Sequence, residues 1–229
     1  LTEANNQPFA NLAVAVDAQG NVFAAWRRGL LDAGIVVNRF DAASGKWGRP
    51  QALRGEPGRS LQPVLAVDAA GNALVVWSQT NTATPSYTVI WGARYDRATA
   101  VWSLVDGDAG EGEGKDGIQA LSHADGSNAE RPVLTLAPDG TAILAWVRRD
   151  RVNGRVQDVI WWRPASNTGK GAWTNREVLS DFARQSVNHR PGLAAARAED
   201  GRTMVVWSSK DLDDNGSPKG YTVIRAAVI

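Results

Sequence analysis

One segment recurs four times along the chain: GNVFAAW from Gly20 to Trp26, GNALVVW from Gly71 to Trp77, GTAILAW from Gly140 to Trp146, and GRTMVVW from Gly201 to Trp207. In each copy a glycine precedes a tryptophan by six residues, and the residues between are mostly apolar or β-branched. Upstream stand NLAVAVDAQ from Asn11, QPVLAVDAA from Gln62, RPVLTLAPD from Arg131 and RPGLAAARAED from Arg190. The fourth copy carries two extra residues there, and the third has Ala137 where the first two have Asp17 and Asp68. The anchor tryptophans are spaced by 51, 69 and 61 residues, so the connections vary while the unit does not. Repetition of this kind limits the fold to units that bury their apolar faces against one another.

The second copy shows the physics of a unit. Val64 to Val67 reads as a strand, Asp68 to Asn72 as a turn with glycine where a positive φ is tolerated, and Ala73 to Trp77 as the returning strand. Ala73, Val75 and Trp77 share one face of that strand, and Leu74 and Val76 share the other. A strand apolar on both faces must be covered on both faces, which predicts stacked antiparallel sheets. Third strands are expected at Ile35 to Phe40, Thr88 to Tyr95, Asp158 to Trp162 and Tyr221 to Ile229. Fourth strands open on tryptophan at Trp47 to Leu53, Trp102 to Val105 and Trp173 to Leu179. Turn clusters such as Asp41 to Lys46 and Ser166 to Gly171 separate them. The expected fold is all-β, a β-propeller of four-stranded antiparallel blades with four repeats in this chain. The expected organisation is a single domain, 1–229, with blades at roughly 8–53, 62–106, 131–179 and 190–229 and with 1–7 contributing to closure. The fourth copy stops after its third strand. Either the ring closes imperfectly or the chain is a window from a longer array.

Composition narrows the partners. Lys and Arg number 25 against 24 Asp and Glu, which gives no electrostatic case for nucleic acid. Cysteine is absent, so disulfides, thiolate metal sites and a cysteine nucleophile are excluded. No apolar run reaches the ~20 residues of a membrane-spanning helix. A chain opening on Leu1 without a starting Met is expected to be mature or trimmed.

The unit resembles a repeat of bacterial secreted and cell-envelope proteins, N-P-x-V-A-V-D-A-x-G-N-A-x-A-V-W followed by an N-R-Y strand and G-x-G-W. Asn11 to Trp26 with Asn38-Arg39-Phe40 and Gly45-Lys46-Trp47 carry the match. So do Gln62 to Trp77 with Ala93-Arg94-Tyr95 and Trp102. The resemblance implies a sialidase-like or lectin-like propeller outside the cytoplasm. The hairpin is not the sialidase Asp-box, S-x-D-x-G-x-x-W. Here Gly71 follows Asp68 by three residues and Trp77 follows Gly71 by six.

The four anchor tryptophans are expected to pack blade against blade rather than to stack on sugars. Trp91, Trp161 and Trp162 lie on third strands nearer the variable loops and are the expected ligand platforms. The adjacent pair Trp161-Trp162 must point to opposite faces. Arg131 and Arg190, each just before a proline, occupy matching positions at one end of the ring and join the ligand-binding candidates. Asp211, Asp213 and Asn215 open a D-x-D-x-N-G loop whose alternate oxygens suit Ca2+, although Thr222 stands where a bidentate Glu would close it. Asp106 to Gly117, acidic and glycine-rich, reads as a mobile insertion. His123 and His189 sit in corresponding loops, which points to repetition rather than a metal pair. Glu56, Glu130, Glu177 and Glu199 lie in or beside loops, and their spacing does not pair them as a glycosidase requires. The first functional expectation is a non-catalytic extracytoplasmic binding or scaffold module for a glycan or protein partner. The alternatives are a glycan-active enzyme of sialidase or lyase type, and a subunit of a cell-surface assembly or oligomer whose last blade is completed by a neighbour's strand.

Overall fold

A computed structural model describes residues 9–29, 34–53, 58–82, 86–107, 120–122, 126–152, 155–165, 173–180, 185–187, 191–213, 215 and 217–229. Its regular structure is entirely β among the described residues. The first leaf holds β1 (Phe9–Val16), β2 (Val22–Arg28), β3 (Gly34–Asp41), β4 (Lys46–Trp47) and β5 (Gln51–Leu53). The second holds β6 (Arg59–Val67), β7 (Ala73–Thr80), β8 (Thr88–Asp96) and β9 (Val101–Leu104). The third holds β10 (Ala129–Leu136), β11 (Ala142–Val152), β12 (Arg155–Ala165) and β13 (Glu177–Val178). A short β14 (Gln185–Val187) precedes the fourth leaf of β15 (Leu193–Arg197), β16 (Thr203–Asp211) and β17 (Val223–Val228). All pairings are antiparallel, and β14 pairs with both β12 and β16, so leaves three and four share one hydrogen-bonded sheet. The first strands are neighbours in order, β1 against β6, β6 against β10 and β10 against β15.

The repeated second strands divide their side chains as alternation requires. Ala73, Val75 and Trp77 join Phe23, Ala25, Ile35 and Val37 in the core between leaves one and two. Leu74 and Val76 join Ala142, Leu144 and Trp146 between leaves two and three. Ala145 and Val147 meet Val205 and Trp207 between leaves three and four. Each of Trp77, Trp146 and Trp207 therefore faces the leaf before its own. The outward face of leaf one is partly covered: Ala24, Trp26 and Val36 are buried there in a cluster with Trp47, so Trp26 departs from the expected packing of blade against blade, while Val14 at 62% and Val16 at 57% are exposed on β1. On leaf four Met204 at 48% and Ile224 at 75% are exposed on β16 and β17.

Two devices repeat with the units. In the hairpin turns of leaves one and two, the aspartate is a buried bracket. Asp68 Oδ1 accepts the Asn72 backbone N–H at 2.8 Å and Asp68 Oδ2 accepts Asn72 Nδ2 at 2.9 Å, while Asn72 Oδ1 accepts the Arg97 N–H at 3.1 Å. Asp17 and Asn21 repeat the pattern, Asn21 Oδ1 accepting the Ala42 N–H at 3.0 Å. The Asp–Asn pair thus ties the turn between a leaf's first and second strands to the turn between its third and fourth. Asp68→Ala is expected to cost about 2 kcal/mol, because it orphans the Asn72 donors, measured as a lower denaturant midpoint. The second device is a bulge in the first strand opposite the anchor tryptophan. Pairing skips from Ala10 to Ala13, from Leu61 to Val64 and from Glu130 to Val133. Asn11, Gln62 and Arg131 take positive φ there, at 52°, 50° and 55°.

Several strands differ from their expected extents. Trp47 to Leu53 is not one strand. It is β4 and β5 separated by Gly48-Arg49-Pro50, where Pro50 has no N–H to donate. The edge of leaf two continues beyond Val105. The Leu121 N–H donates to Ile90 O at 2.7 Å, and the Ile90 N–H donates to Ser122 Oγ at 2.9 Å. In leaf three Leu179 and Ser180 do the same to Ile160, at 2.8 and 3.0 Å. The acidic, glycine-rich segment thus interrupts an edge strand that resumes at Leu121. Its residues 108–119 lie outside the described ones, but Gly107 sits so close to Ala120 that a Cβ there would fall 2.0 Å from the Ala120 carbonyl oxygen.

Candidate functional site

Antiparallel leaves in this order put two sets of connections at opposite ends. One end carries the turns between first and second and between third and fourth strands. The other, the loop rim, carries the links from second to third strand and from leaf to leaf. Most of the polar candidates lie at the loop rim, beyond the anchor tryptophans.

On leaf three, Arg148 is largely buried, its Nε lying 2.7 Å from Asp150 Oδ1 and its guanidinium 5.0 Å from the centre of the Trp161 ring. Trp161 Nε1 donates to Asp150 Oδ2 at 2.7 Å. On the opposite face of the same hairpin, Arg149 Nε donates to Asp158 Oδ1 at 3.2 Å. In leaf four the equivalent aspartate, Asp211, accepts from Arg225, which occupies the position of Trp161. Each of these aspartates is held by an arginine. Glu130 at the start of β10 is different. It is half-buried beside the bulge, and its carboxylate makes no hydrogen bond or ion pair among the described residues.

Trp91 is a correction. It is 2% exposed and packs in the core between leaves one and two, because it pairs directly across from Trp77 and shares its face, so it offers no platform to a ligand. Trp161 and Trp162 are half-buried and do point to opposite faces, towards leaves two and four. Arg131 is the bulge residue of β10, and its Nη1 reaches the Pro191 carbonyl at 3.4 Å, linking leaf three to leaf four. Arg190 lies outside the described residues, as do His123, His189 and Glu56. In the proposed calcium loop, Asp211 is engaged by Arg225, while Asp213 Oδ1 accepts the backbone N–H groups of Asn215 and Ser217 at 3.0 and 2.8 Å. Asn215 thus serves the turn through its backbone. No group of three or more His, Cys, Asp or Glu converges among the described residues.

A second feature, at the other end of leaf one, was not foreseen. A cleft of about 310 Å³ runs along the outer edge of this leaf beside leaf two. Arg39, Asp41, Lys46, Trp47, Arg49 and Gln51 line it on leaf one, and Tyr95 and Trp102 on leaf two. Gly48 lies close against β3. Its N–H donates to Arg39 O at 2.8 Å, and a Cβ there would come within 3.3 Å of Asn38 Oδ1. Ser44, through its hydroxyl and its backbone N–H, holds the Asp41 carboxyl below the usual carboxylate range, and Arg39 at 3.2 Å adds to this. The only sequence signal was the G-K-W-G run, which reads as an ordinary turn.

No protein-family model matches the sequence, and no curated protein matches it. Solved structures do match in fold. A protein of unknown function from Dyadobacter fermentans aligns with 94% of the chain and 64% of its own length, at 12% identity and a TM-score of 0.58. An α-L-arabinofuranosidase from Fusarium graminearum aligns with 97% of the chain and 62% of its own length, at 12% identity and a TM-score of 0.57. A Hadza microbial sialidase aligns with 96% of the chain and 44% of its own length, at 13% identity and a TM-score of 0.56. The chain therefore spans less than two thirds of these structures. Among the described residues, no helix is long and apolar enough to cross a membrane.

Proposed function

We propose that the chain is a propeller-type, glycan-active protein that works outside the cytoplasm and takes its substrate at the loop rim. One observation carries this reading. The four-leaf arrangement follows an arabinofuranosidase and a sialidase over nearly the whole chain. That moves the enzyme alternative ahead of the non-catalytic module preferred on sequence grounds. The loop rim supplies suitable chemistry. Glu130 is a carboxylate without a partner among the described residues, next to Arg131 at the start of an inner strand, and Trp161 and Trp162 stand on the same leaf. A half-buried carboxylate at such a position suits a general acid or base, and arginines suit an anionic sugar.

The test is turnover on a panel of α-L-arabinofuranosides, sialosides and uronate-containing polysaccharides, read as released reducing ends or unsaturated products. Turnover of at least one substrate is expected, with Glu130→Gln lowering it by about 10²-fold or more. The non-catalytic reading keeps support from one fact. The carboxylates of Asp150, Asp158 and Asp211 are each tied to an arginine, which suits structure better than proton transfer. Glycan binding with no turnover across the panel would decide for that reading.

A further inference from the structure

We propose that the cleft on the outer edge of leaf one is a separate binding site for a carboxylated sugar residue. It lies at the turn end of the leaf, opposite the loop rim, and stands whether or not that rim is catalytic. Its size is at the lower end of small-ligand pockets, suited to one or two sugar units. Its lining combines two chemistries that seldom meet by packing alone. Half-buried Trp47 provides the accessible aromatic surface, and Tyr95 and Trp102, buried in the core between leaves one and two, back it at the floor. Arg39, Lys46 and Arg49 provide three cations against the single carboxylate of Asp41.

Those charges are not spent equally. Arg39 is committed to Asp41 and lies 5.8 Å over the Phe23 ring. Lys46 and Arg49 are exposed and make no ion pair among the described residues. They leave a local positive field beside the Trp47 indole. Asp41, kept ionised by Ser44 and Arg39, can only accept hydrogen bonds, as can a carbonyl, and Gln51 can donate or accept. A neutral sugar would satisfy the aromatic and hydroxyl-pairing groups but leave Lys46 and Arg49 without an anion. A simple anion would pair with them and leave the Trp47 indole bare. A sugar bearing a carboxylate uses both sets. The site belongs to leaf one alone. Leaf two has Ala100 and Val101 where leaf one has Gly45 and Lys46 before the tryptophan, so the repeat does not require these cations.

The test titrates the full chain with digalacturonate and, separately, with neutral galactobiose, by calorimetry and by the indole N–H resonance of Trp47, assigned through Trp47→Phe. Digalacturonate is expected to bind at least about tenfold more tightly than galactobiose and to shift the Trp47 resonance, and added salt should narrow the difference. Lys46→Ala with Arg49→Ala alters two exposed side chains and should weaken digalacturonate at least about tenfold, while Glu130→Gln should leave it unchanged. Equal binding of the two probes would overturn the proposal. So would no binding of either, an unmoved Trp47 resonance, or indifference to the Lys46 and Arg49 substitutions. Loss of binding in Glu130→Gln would also overturn it, by placing the ligand at the loop rim.

Discussion

Trp77→Ala is expected to lower the unfolding free energy by about 3–5 kcal/mol, seen as a fall in denaturant midpoint at unchanged slope. Trp77 is wholly buried between leaves one and two, across from Trp91 and in one core with the apolar face of leaf one. Alanine there leaves a cavity in a layer that two leaves share, and neither sheet can collapse into it without breaking its own ladder. The indole is also anchored. Its Nε1 donates to Gln79 Oε1 at 3.1 Å, and Ser60 Oγ reaches the same oxygen at 3.4 Å. Trp146 makes an instructive contrast. It is equally buried, but its Nε1 has no acceptor among the described residues, since Arg148 stands where leaf two has Gln79. Phenylalanine should therefore be better tolerated at 146 than at 77, by about 1 kcal/mol. Equal costs at the two positions would mean that the Gln79 bond contributes nothing.

Arg163→Met is the second large expectation, a loss of about 3–5 kcal/mol from two charge-assisted hydrogen bonds. Arg163 is completely buried on β12. Its Nε donates to Thr174 O at 3.0 Å and its Nη1 to Leu121 O at 2.8 Å, and its guanidinium lies 5.6 Å from the centre of the Trp173 ring. It therefore clamps the resumed edge of leaf two to the outer edge of leaf three. Methionine fills similar space but leaves both carbonyls without this donor. The same variant should speed hydrogen exchange at the Leu121 amide, which bonds to Ile90. A stability loss with unchanged exchange there would place the clamp's energy elsewhere.

The repeat itself was plain in the sequence, because alternation on a strand greasy on both faces has one solution, and Trp77, Trp146 and Trp207 took it. What escaped was whatever depended on register across strands. Trp91 looked like a loop-side platform by position along β8, but being opposite Trp77 puts it in the core. Arg163 falls just past the expected third strand and carried no signal, because only the path of a distant segment brings Leu121 within reach of it. Leu121 could have been found by matching Leu-Ser at 121–122 with Leu-Ser at 179–180, but the intervening acidic stretch hid the match. The turn aspartates were legible as turn formers. Their loss in the third and fourth copies agrees with a bracket that other residues can replace, as the Asp139 and Asp200 carboxylates do by accepting the Thr141 and Arg202 N–H groups.

The bulge at Asn11, Gln62 and Arg131 inverts the parity of each inner strand partway along its length. Below it, Val133 faces leaf four and Leu134 faces leaf two; above it, Ala129 faces leaf two and Glu130 does not. A simple odd–even count run through the strand would assign both upper residues to the wrong side. The kink therefore separates each inner strand into two independently writable halves. Substitutions above it can change what the loop end presents to solvent, while the lower half, and the mating of one leaf with the next, keeps its lettering.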